Sequence, residues 1–376
     1  MMRLTYMSLF ISFFNMCYLF GQTDKTAIDF YNKGVEYYNS KNYELAIASF
    51  TSCVTHDPAY IRAYYNRGNC ALNIQQWDRA ISDFNKTIQL DNNFEMAYLY
   101  KGYALLSKGD YNSSIATLTI AIANDDAVSK SYIHRGTAYM KSESYEKAIA
   151  DFNSGIAMGE HSYASFLNRG LCKVKLNDNG GALADFSAAS DLKPDQYTTA
   201  FEKAKIYLKL QKFPEAIAEV SVALRKNPSD ADLYHYRGYA KLMMEDMAAA
   251  MLDYNICLQI NPKHNQGLKN KALISTKLGK YDEAVFDFTN LIKIESKNPD
   301  LYVHRGICYL ETDQYDKALK DFSDAISLKS DFAEAYFNRA NTYTKLLDMK
   351  RACHDIKESI KLGYAPARAH VNNLCD

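Results

Sequence analysis

Proline and glycine are scarce in this chain, with 7 prolines and 16 glycines among 376 residues. No low-complexity linker occurs, so the sequence indicates no domain boundary between residues 27 and 366. Net charge is also missing, because 44 lysines and arginines balance 44 aspartates and glutamates. A protein whose main partner is a nucleic acid needs a basic surface to bind phosphates. The charge balance therefore argues against nucleic acid as the partner.

The sequence also lacks the motifs of common active sites. It has no phosphate loop, no nucleophile elbow and no clustered cysteine pairs, and none of its 8 histidines stands at metal-ligand spacing from another ligand. His134 and His304 occupy the same position of the repeat described below, so they belong to that repeat. We therefore expect no catalytic residue, no metal site and no cofactor, and we interpret the protein as a non-enzyme.

What the chain does contain is a unit of 34 residues that occurs ten times without a gap. In the unit that starts at Pro299, apolar or small residues recur at i, i+4 and i+7 on both sides of a short polar turn, residues 311–314. This period predicts two antiparallel helices, and neither half shows strand alternation. We number the repeats one to ten and the positions within each from 1 to 34. The repeats begin at Ala27, Ile61, Glu95, Ser129, Tyr163, Tyr197, Ala231, Asn265, Pro299 and Ala333.

Three positions of the repeat accept only a narrow set of residue types. Position 8 is never larger than alanine, position 20 is alanine except for Ser114, and position 24 is always large and apolar. Small residues at positions 8 and 20 let two helix axes come close together. These residues and this period resemble the tetratricopeptide repeat family, whose signature is a bulky residue followed by Gly, Tyr, Ala, Phe and a closing Pro. The resemblance covers about nine tenths of the chain.

The resemblance implies an all-α fold, a right-handed superhelical solenoid of helix-turn-helix repeats over residues 27–366. A short C-terminal capping helix or tail at 367–376 would follow. It also implies a scaffold or adaptor whose partner is a protein, held by a peptide segment in the concave groove. Two repeats depart from the family pattern, because the aromatic residue of position 4 is replaced by Ala200 and Leu268. We expect these two repeats to pack least tightly.

The candidate groove residues stand at positions 5 and 9 of the first helix, which face the concave side in the family. In repeats one to five they are Tyr31, Val35, Tyr65, Asn69, Leu99, Tyr103, Ile133, Thr137, Leu167 and Leu171. This apolar and aromatic wall carries almost no charge, so we expect it to bind a partner through buried side chains rather than through ion pairs. The alternative is that many of these side chains pack between neighbouring first helices.

Position 7 is basic in all ten repeats, and position 23 varies with it. Each of the six repeats with Arg at position 7 has Asp at position 23, and the four Lys repeats carry Ser49, Thr117, Glu219 and Asp287. A planar guanidinium group matches a carboxylate with two parallel hydrogen bonds, whereas an ammonium group does not. The covariation therefore predicts an ion pair within each Arg repeat. A basic track for a ligand is the alternative.

Residues 1–21 differ from the rest of the chain. Arg3 precedes a run without further charge over residues 4–20. This pattern predicts a secretory signal peptide that is cleaved before Gln22, and hence an exported protein, either periplasmic, in the cell envelope or secreted. An uncleaved membrane anchor is the alternative. It would associate the protein with a membrane through residues 4–20, as an accessory subunit of a cell-envelope or surface complex.

The cysteines and the C-terminal end complete the expectations. Seven of the 8 cysteines follow residue 21, an odd number that excludes complete pairing within one chain. Five of them stand at helix-packing positions 10 and 27, where we expect buried free thiols. Residues 365–376 are the candidate cap, with Pro366 at a first helical position and Val371 and Leu374 available to pack. This cap is too short to cover the last repeat, so we expect this end to self-associate or to contact a partner.

Overall fold

The computed structural model describes residues 25–94, 96–125, 127–371 and 375. The predicted signal peptide or anchor at 1–21 lies outside these residues. All regular elements of the described chain are helical, which confirms the all-α fold. In this part of the protein, no helix has the length and hydrophobicity that crossing a bilayer requires.

Each repeat forms two helices joined by a short turn. The chain divides into two compact units, the first ending at Lys193 and the second starting at Pro194. The first contains α1 (Lys25–Asn39), α2 (Tyr43–His56), α3 (Ile61–Asn73), α4 (Trp77–Leu90), α5 (Ala97–Lys108), α6 (Tyr111–Ala123), α7 (Val128–Lys141), α8 (Tyr145–Ala157), α9 (Tyr163–Lys175) and α10 (Asn179–Leu192). The second contains α11 (Thr198–Lys209), α12 (Phe213–Lys226), α13 (Ala231–Met243), α14 (Met247–Ile260), α15 (Asn265–Lys277), α16 (Tyr281–Ile294), α17 (Pro299–Glu311), α18 (Tyr315–Leu328), α19 (Ala333–Lys345), α20 (Met349–Lys361) and a 3₁₀ helix (Ala365–Ala369). Within each unit, consecutive helices pack against each other.

Position 8 is small because the side chain of position 24 lies directly against it. A Cβ atom built on Gly306 would come within 2.7 Å of the Phe322 ring, and that ring is fully buried. Only alanine replaces glycine at this position. In two of the three alanine repeats, position 24 holds a β-branched residue, Val220 or Ile356, in place of a ring. The two positions therefore share one volume inside the repeat.

The turn between the two helices passes through the left-handed backbone region at position 15 of every repeat. The φ angle of this residue lies between 56° and 92° in all ten repeats. Only Gly109 and Gly279 supply a glycine there. Each of the other eight residues pays about 1–2 kcal/mol for this conformation. Packing of the two helices holds these residues in place, and the sequence analysis did not predict their left-handed conformation.

The 3₁₀ helix and Val371 pack on the last repeat. Ala367 is fully buried and packs with Ala340 and Ile356, and Val371 lies against the same cluster. Pro366 stands in the first turn of the 3₁₀ helix, as predicted. Leu374 is outside the described residues. Self-association through this end stays a prediction.

A disulfide bond holds this C-terminal segment, and the sequence analysis did not predict it. Cys353 of α20 is bonded to Cys375, with the two Cα atoms 5.0 Å apart. A cross-link closing a loop of this length removes about 3 kcal/mol of chain entropy from the unfolded state in the simplest model. The five cysteines expected to be buried free thiols have that state: Cys53, Cys70, Cys172, Cys257 and Cys308.

Candidate partner-binding site

A cavity of about 330 Å³ opens over the first helices of repeats one, two and three. Its lining residues lie on α1, α3 and α5, and we call it the inner-face cavity because position 9 faces the concave side in the family. Its lining alternates rings with side-chain amides and contains no charged residue. The lining residues are Tyr38, Asn69, Leu72, Asn73, Tyr100 and Tyr103.

The predicted groove residues differ in exposure, and the contrast between positions 5 and 9 is clearest in repeat three, with Leu99 buried and Tyr103 exposed. At position 9, Asn69 and Tyr103 line the cavity, and Tyr103 is 37% exposed. At position 5, Leu99 and Ile133 are buried, with 2% and 8% of their surface exposed. These two side chains therefore offer almost no surface to a partner.

The two tyrosines predicted at position 5 pack among other rings. The Tyr31 ring lies 4.9 Å from the Tyr60 ring between centroids, and its hydroxyl accepts a hydrogen bond from Asn66 Nδ2 at 3.0 Å. Tyr65 lies 4.9 Å from Phe94 and contacts the rings of two further residues. Both tyrosines are half-buried. They hold neighbouring first helices together.

The other predicted groove residues are half-buried. Val35 packs against the core of the first repeats. Thr137 donates its hydroxyl to the carbonyl of Ile133 at 2.8 Å, so this polar group is satisfied within α7. Leu167 and Leu171 lie on α9 with part of their surface exposed. None of these four residues lines the cavity.

Four lining residues were missing from the candidate set. Tyr38 and Leu72 stand at position 12, Asn73 at position 13 and Tyr100 at position 6. Positions 9, 12 and 13 follow one another on a face of the first helix, so the spacing could have identified Tyr38 and Asn73. Tyr100 gave no such signal, because position 6 faces the neighbouring repeat.

The cavity and its edge are uncharged at neutral pH. Burial raises the pKa of the Tyr38 hydroxyl, with a contribution from nearby Cys70, so this group remains a donor. Beside the cavity, the Tyr103 ring lies 4.9 Å from the ring of His134. Burial, assisted by Lys130, lowers the pKa of His134 to about 4. The imidazole is therefore neutral at physiological pH.

A ladder of ion pairs runs along both compact units, as the covariation of positions 7 and 23 predicted. Arg135 Nε and Nη2 donate to the two carboxylate oxygens of Asp151 at 2.8 Å each. Asp151 is only 5% exposed. The same two-bonded pairing occurs in Arg67–Asp83, Arg169–Asp185, Arg237–Asp253, Arg305–Asp321 and Arg339–Asp355.

In five of the six arginines, the third guanidinium nitrogen donates to the preceding repeat, which the sequence analysis missed. Arg135 Nη1 donates to Thr119 Oγ1 at 3.0 Å. Position 25 of the preceding repeat is the acceptor each time, and it always carries a hydroxyl or an amide, which is the signal that could have been found. The other pairs of this kind are Arg67–Thr51, Arg169–Asn153, Arg305–Thr289 and Arg339–Ser323.

Because each of the six guanidinium groups donates two hydrogen bonds to its aspartate, and five of them a third to the preceding repeat, the ladder is a structural brace. The six arginine side chains are only 14–22% exposed. The alternative reading, a basic track for a ligand, thus finds no free guanidinium in these repeats. Among the lysine repeats, Lys271 Nζ lies 2.6 Å from Asp287 Oδ2 and Lys203 Nζ 2.6 Å from Glu219 Oε1. In the described part of the chain Lys101 meets no carboxylate, and burial lowers the pKa of its ammonium group.

No group of three or more His, Cys, Asp and Glu side chains among the described residues is arranged to hold a metal ion. The lining of the cavity offers a partner ring faces, side-chain amides and apolar contact.

Sequence models of the tetratricopeptide repeat match the chain at residues 30–60, 61–94, 99–163, 167–231, 201–265, 270–298 and 333–362, and a model described as TPR repeat matches 308–346. No curated protein matches by sequence. Among solved structures, a tetratricopeptide repeat protein from Parabacteroides merdae ATCC 43184 is 18% identical, covering 66% of this chain and 99% of its own, with a TM-score of 0.47. Yeast Tom70 is 14% identical over 94% of this chain and 96% of its own, with a TM-score of 0.40.

Proposed function

Given that the chain belongs to the tetratricopeptide repeat family, whose fold is that of a protein-interaction scaffold, we propose that it holds an extended peptide segment of a partner protein over α1, α3 and α5. The cavity of about 330 Å³ carries this proposal, since its lining combines tyrosine rings with two asparagines. Asn73 Nδ2 donates to the backbone carbonyl of Asn69 at 2.8 Å, which orients the Asn73 amide, and the side-chain amide of Asn69 bonds to no described side chain. Such amides can pair with a peptide backbone, which is unpaired in an extended segment.

The binding should depend weakly on salt, because no charged residue lines the cavity. Replacing both Tyr103 and Asn69 by alanine should weaken a bound peptide at least about tenfold, or 1.4 kcal/mol, through loss of one ring contact and one amide. We would select peptides from a random library on the intact protein. Their Kd would then be measured by fluorescence anisotropy for the wild type and the double variant, at low and at high salt.

Tyr65→Ala is the matched control, because it removes a tyrosine ring from the packed side of α3, the helix that carries Asn69. It should lower the melting temperature, whereas the double variant should leave it nearly unchanged. If peptide affinity survives the double substitution, or is lost on raising the salt, the partner uses another face and the proposal fails.

We propose that the protein is exported. The signal-like residues 1–21 support this, and so does the Cys353–Cys375 disulfide, since structural disulfides persist in oxidising compartments. Protein isolated from the native host should begin at Gln22 and stay in the soluble fraction. N-terminal sequencing that finds residues 4–20 retained in a membrane fraction would instead support the anchored accessory subunit.

A further inference from the structure

A second cavity, of about 490 Å³, lies in the second compact unit between α14 and α16. Its floor is formed by Leu268 and Lys271 of α15, and its walls include Leu258, Pro262 and Asp287. It is therefore built by the second helices of repeats seven and eight together with α15, the first helix of repeat eight. Its volume is in the range of sites that bind small ligands or side chains.

The cavity lies where repeat eight lacks the ring of position 4, because Leu268 stands there. In the six Arg repeats, a tyrosine or phenylalanine at position 4 lies with its centroid 5.4–5.8 Å from the guanidinium carbon of position 7. In repeat nine the Tyr302 hydroxyl also donates to the carbonyl of Ser296, at position 32 of the preceding repeat, at 3.1 Å. Repeat nine thus places a ring between its position 7 and position 32 of the preceding repeat.

The same two positions line the cavity of repeat eight. Position 7 is Lys271 and position 32 of the preceding repeat is Pro262. Between them stands Leu268, whose side chain is shorter than tyrosine and has no polar tip. The volume that the ring of Tyr302 fills in repeat nine is open here. The chain itself therefore specifies the shape and chemistry of what fits: an aromatic ring over a cation, with a hydroxyl near the wall.

The rim of the cavity is apolar and exposed. Phe286 lines it and is 67% exposed, and Leu252, at the same position of the preceding repeat, is 65% exposed. Both stand at position 22, where repeats one to six carry only alanine or serine. Two large apolar residues are thus placed on the surface of the two repeats that form the cavity. An exposed rim of this kind is typical of contact with a protein rather than with a free small molecule.

We propose that this cavity binds an aromatic side chain of a partner protein, inserted where a complete repeat places its own position-4 ring. The inserted ring would lie over Lys271, whose Nζ is held 2.6 Å from Asp287 Oδ2. A tyrosine is the preferred occupant, because Asn255, Gln259 and Asn290 also line the site and can bond its hydroxyl. Phe286 would cover the residue of the partner that is next to the inserted tyrosine. This site is independent of the inner-face cavity.

Leu268→Tyr tests the proposal by supplying the ring from within. We expect this variant to melt at a higher temperature, because the ring fills a void next to a cation. Ligand-observed NMR with N-acetyl-L-tyrosinamide should show binding to the wild type and none to Leu268→Tyr, and N-acetyl-L-leucinamide should bind neither. The converse change, Tyr302→Leu, should open a matching cavity in repeat nine and increase tyrosinamide binding.

Peptide binding shows whether the ligand of this cavity is part of a protein. Library peptides would be selected on the Tyr103→Ala/Asn69→Ala variant, so that failure of the inner-face site does not affect the result. We expect peptides with an essential aromatic residue whose Kd rises about tenfold on Leu268→Tyr and also rises on Phe286→Ala, a change at an exposed site that leaves folding intact. Tyrosinamide binding without any such peptide would overturn the proposal, as would a Leu268→Tyr variant that binds tyrosinamide like the wild type.

Discussion

Replacing Arg135 by leucine should lower the free energy of unfolding by about 3–5 kcal/mol, the usual cost of leaving one partner of a buried ion pair alone. Asp151 would keep a charge at a site that is only 5% exposed, without the two hydrogen bonds of 2.8 Å that now satisfy it. Asp151→Leu should also destabilise the protein. The double variant should cost clearly less than the sum, because no unpaired charge remains. Urea denaturation of the four proteins measures this coupling.

An exposed ion pair provides the control for this cycle. Lys320 Nζ lies 2.6 Å from Asp324 Oδ2 on α18, with side-chain exposures of 73% and 38%. Lys320→Leu should change stability by no more than about 0.5 kcal/mol, as for other pairs of this spacing on a helix. If Arg135→Leu and Asp151→Leu are simply additive, the covariation of positions 7 and 23 has no energetic basis.

One substitution at position 7 should have opposite effects in two repeats. Lys271→Met leaves Asp287, which is 2% exposed, without its partner at 2.6 Å, and should cost about 3–5 kcal/mol at neutral pH. Lys101→Met removes a half-buried ammonium group that has no carboxylate at position 23, where Thr117 stands. This second variant should be more stable than the wild type. Thermal and urea denaturation of both variants would check the signs.

The pH dependence gives a further check on this pair of variants. Burial already raises the pKa of Asp287 in the wild type, against the opposing effect of Lys271. Without Lys271 the folded-state pKa rises further above its unfolded value, so the Lys271→Met protein should regain stability as the pH falls through that raised pKa. Because the pKa of Lys101 is lowered in the folded state, the advantage of Lys101→Met should disappear above pH of about 10. If Lys271→Met and Lys101→Met changed the stability equally at each pH, the pairing of Lys271 with Asp287 would be contradicted.

Much of the fold followed from the sequence because it depends on contacts within one repeat. The period of 34 residues, the small residue at position 8 and the large one at position 24 predicted a pair of helices, and the Phe322 ring does lie within 2.7 Å of a Cβ built on Gly306. The Arg–Asp pairing was equally readable, since two positions that change together in ten copies act as an internal alignment. Local spacing and repeated covariation can both be read from the sequence without the structure.

Which side chains are exposed could be decided only from the tertiary structure. Positions 5 and 9 lie on one helix face, one turn apart, so spacing could not separate the buried Leu99 from the exposed Tyr103. The exposure of each position depends on how much of that turn is covered by the first helix of the neighbouring repeat. The left-handed residue at position 15 was hidden for a related reason, because helix packing imposes it on residues as different as Lys41 and Leu347.

By itself, then, the sequence determined the repeat, its helix pairs, its internal ion pairs and its family, because each of these rests on residues a few turns apart. Only the tertiary structure decided which volumes stay open and which ends are closed. The cavity beside Leu268 and the bond between Cys353 and Cys375 both depend on how segments from different elements meet. A missing ring leaves a void only if the helices around it do not move in, and two cysteines pair only if the chain brings their Cα atoms together.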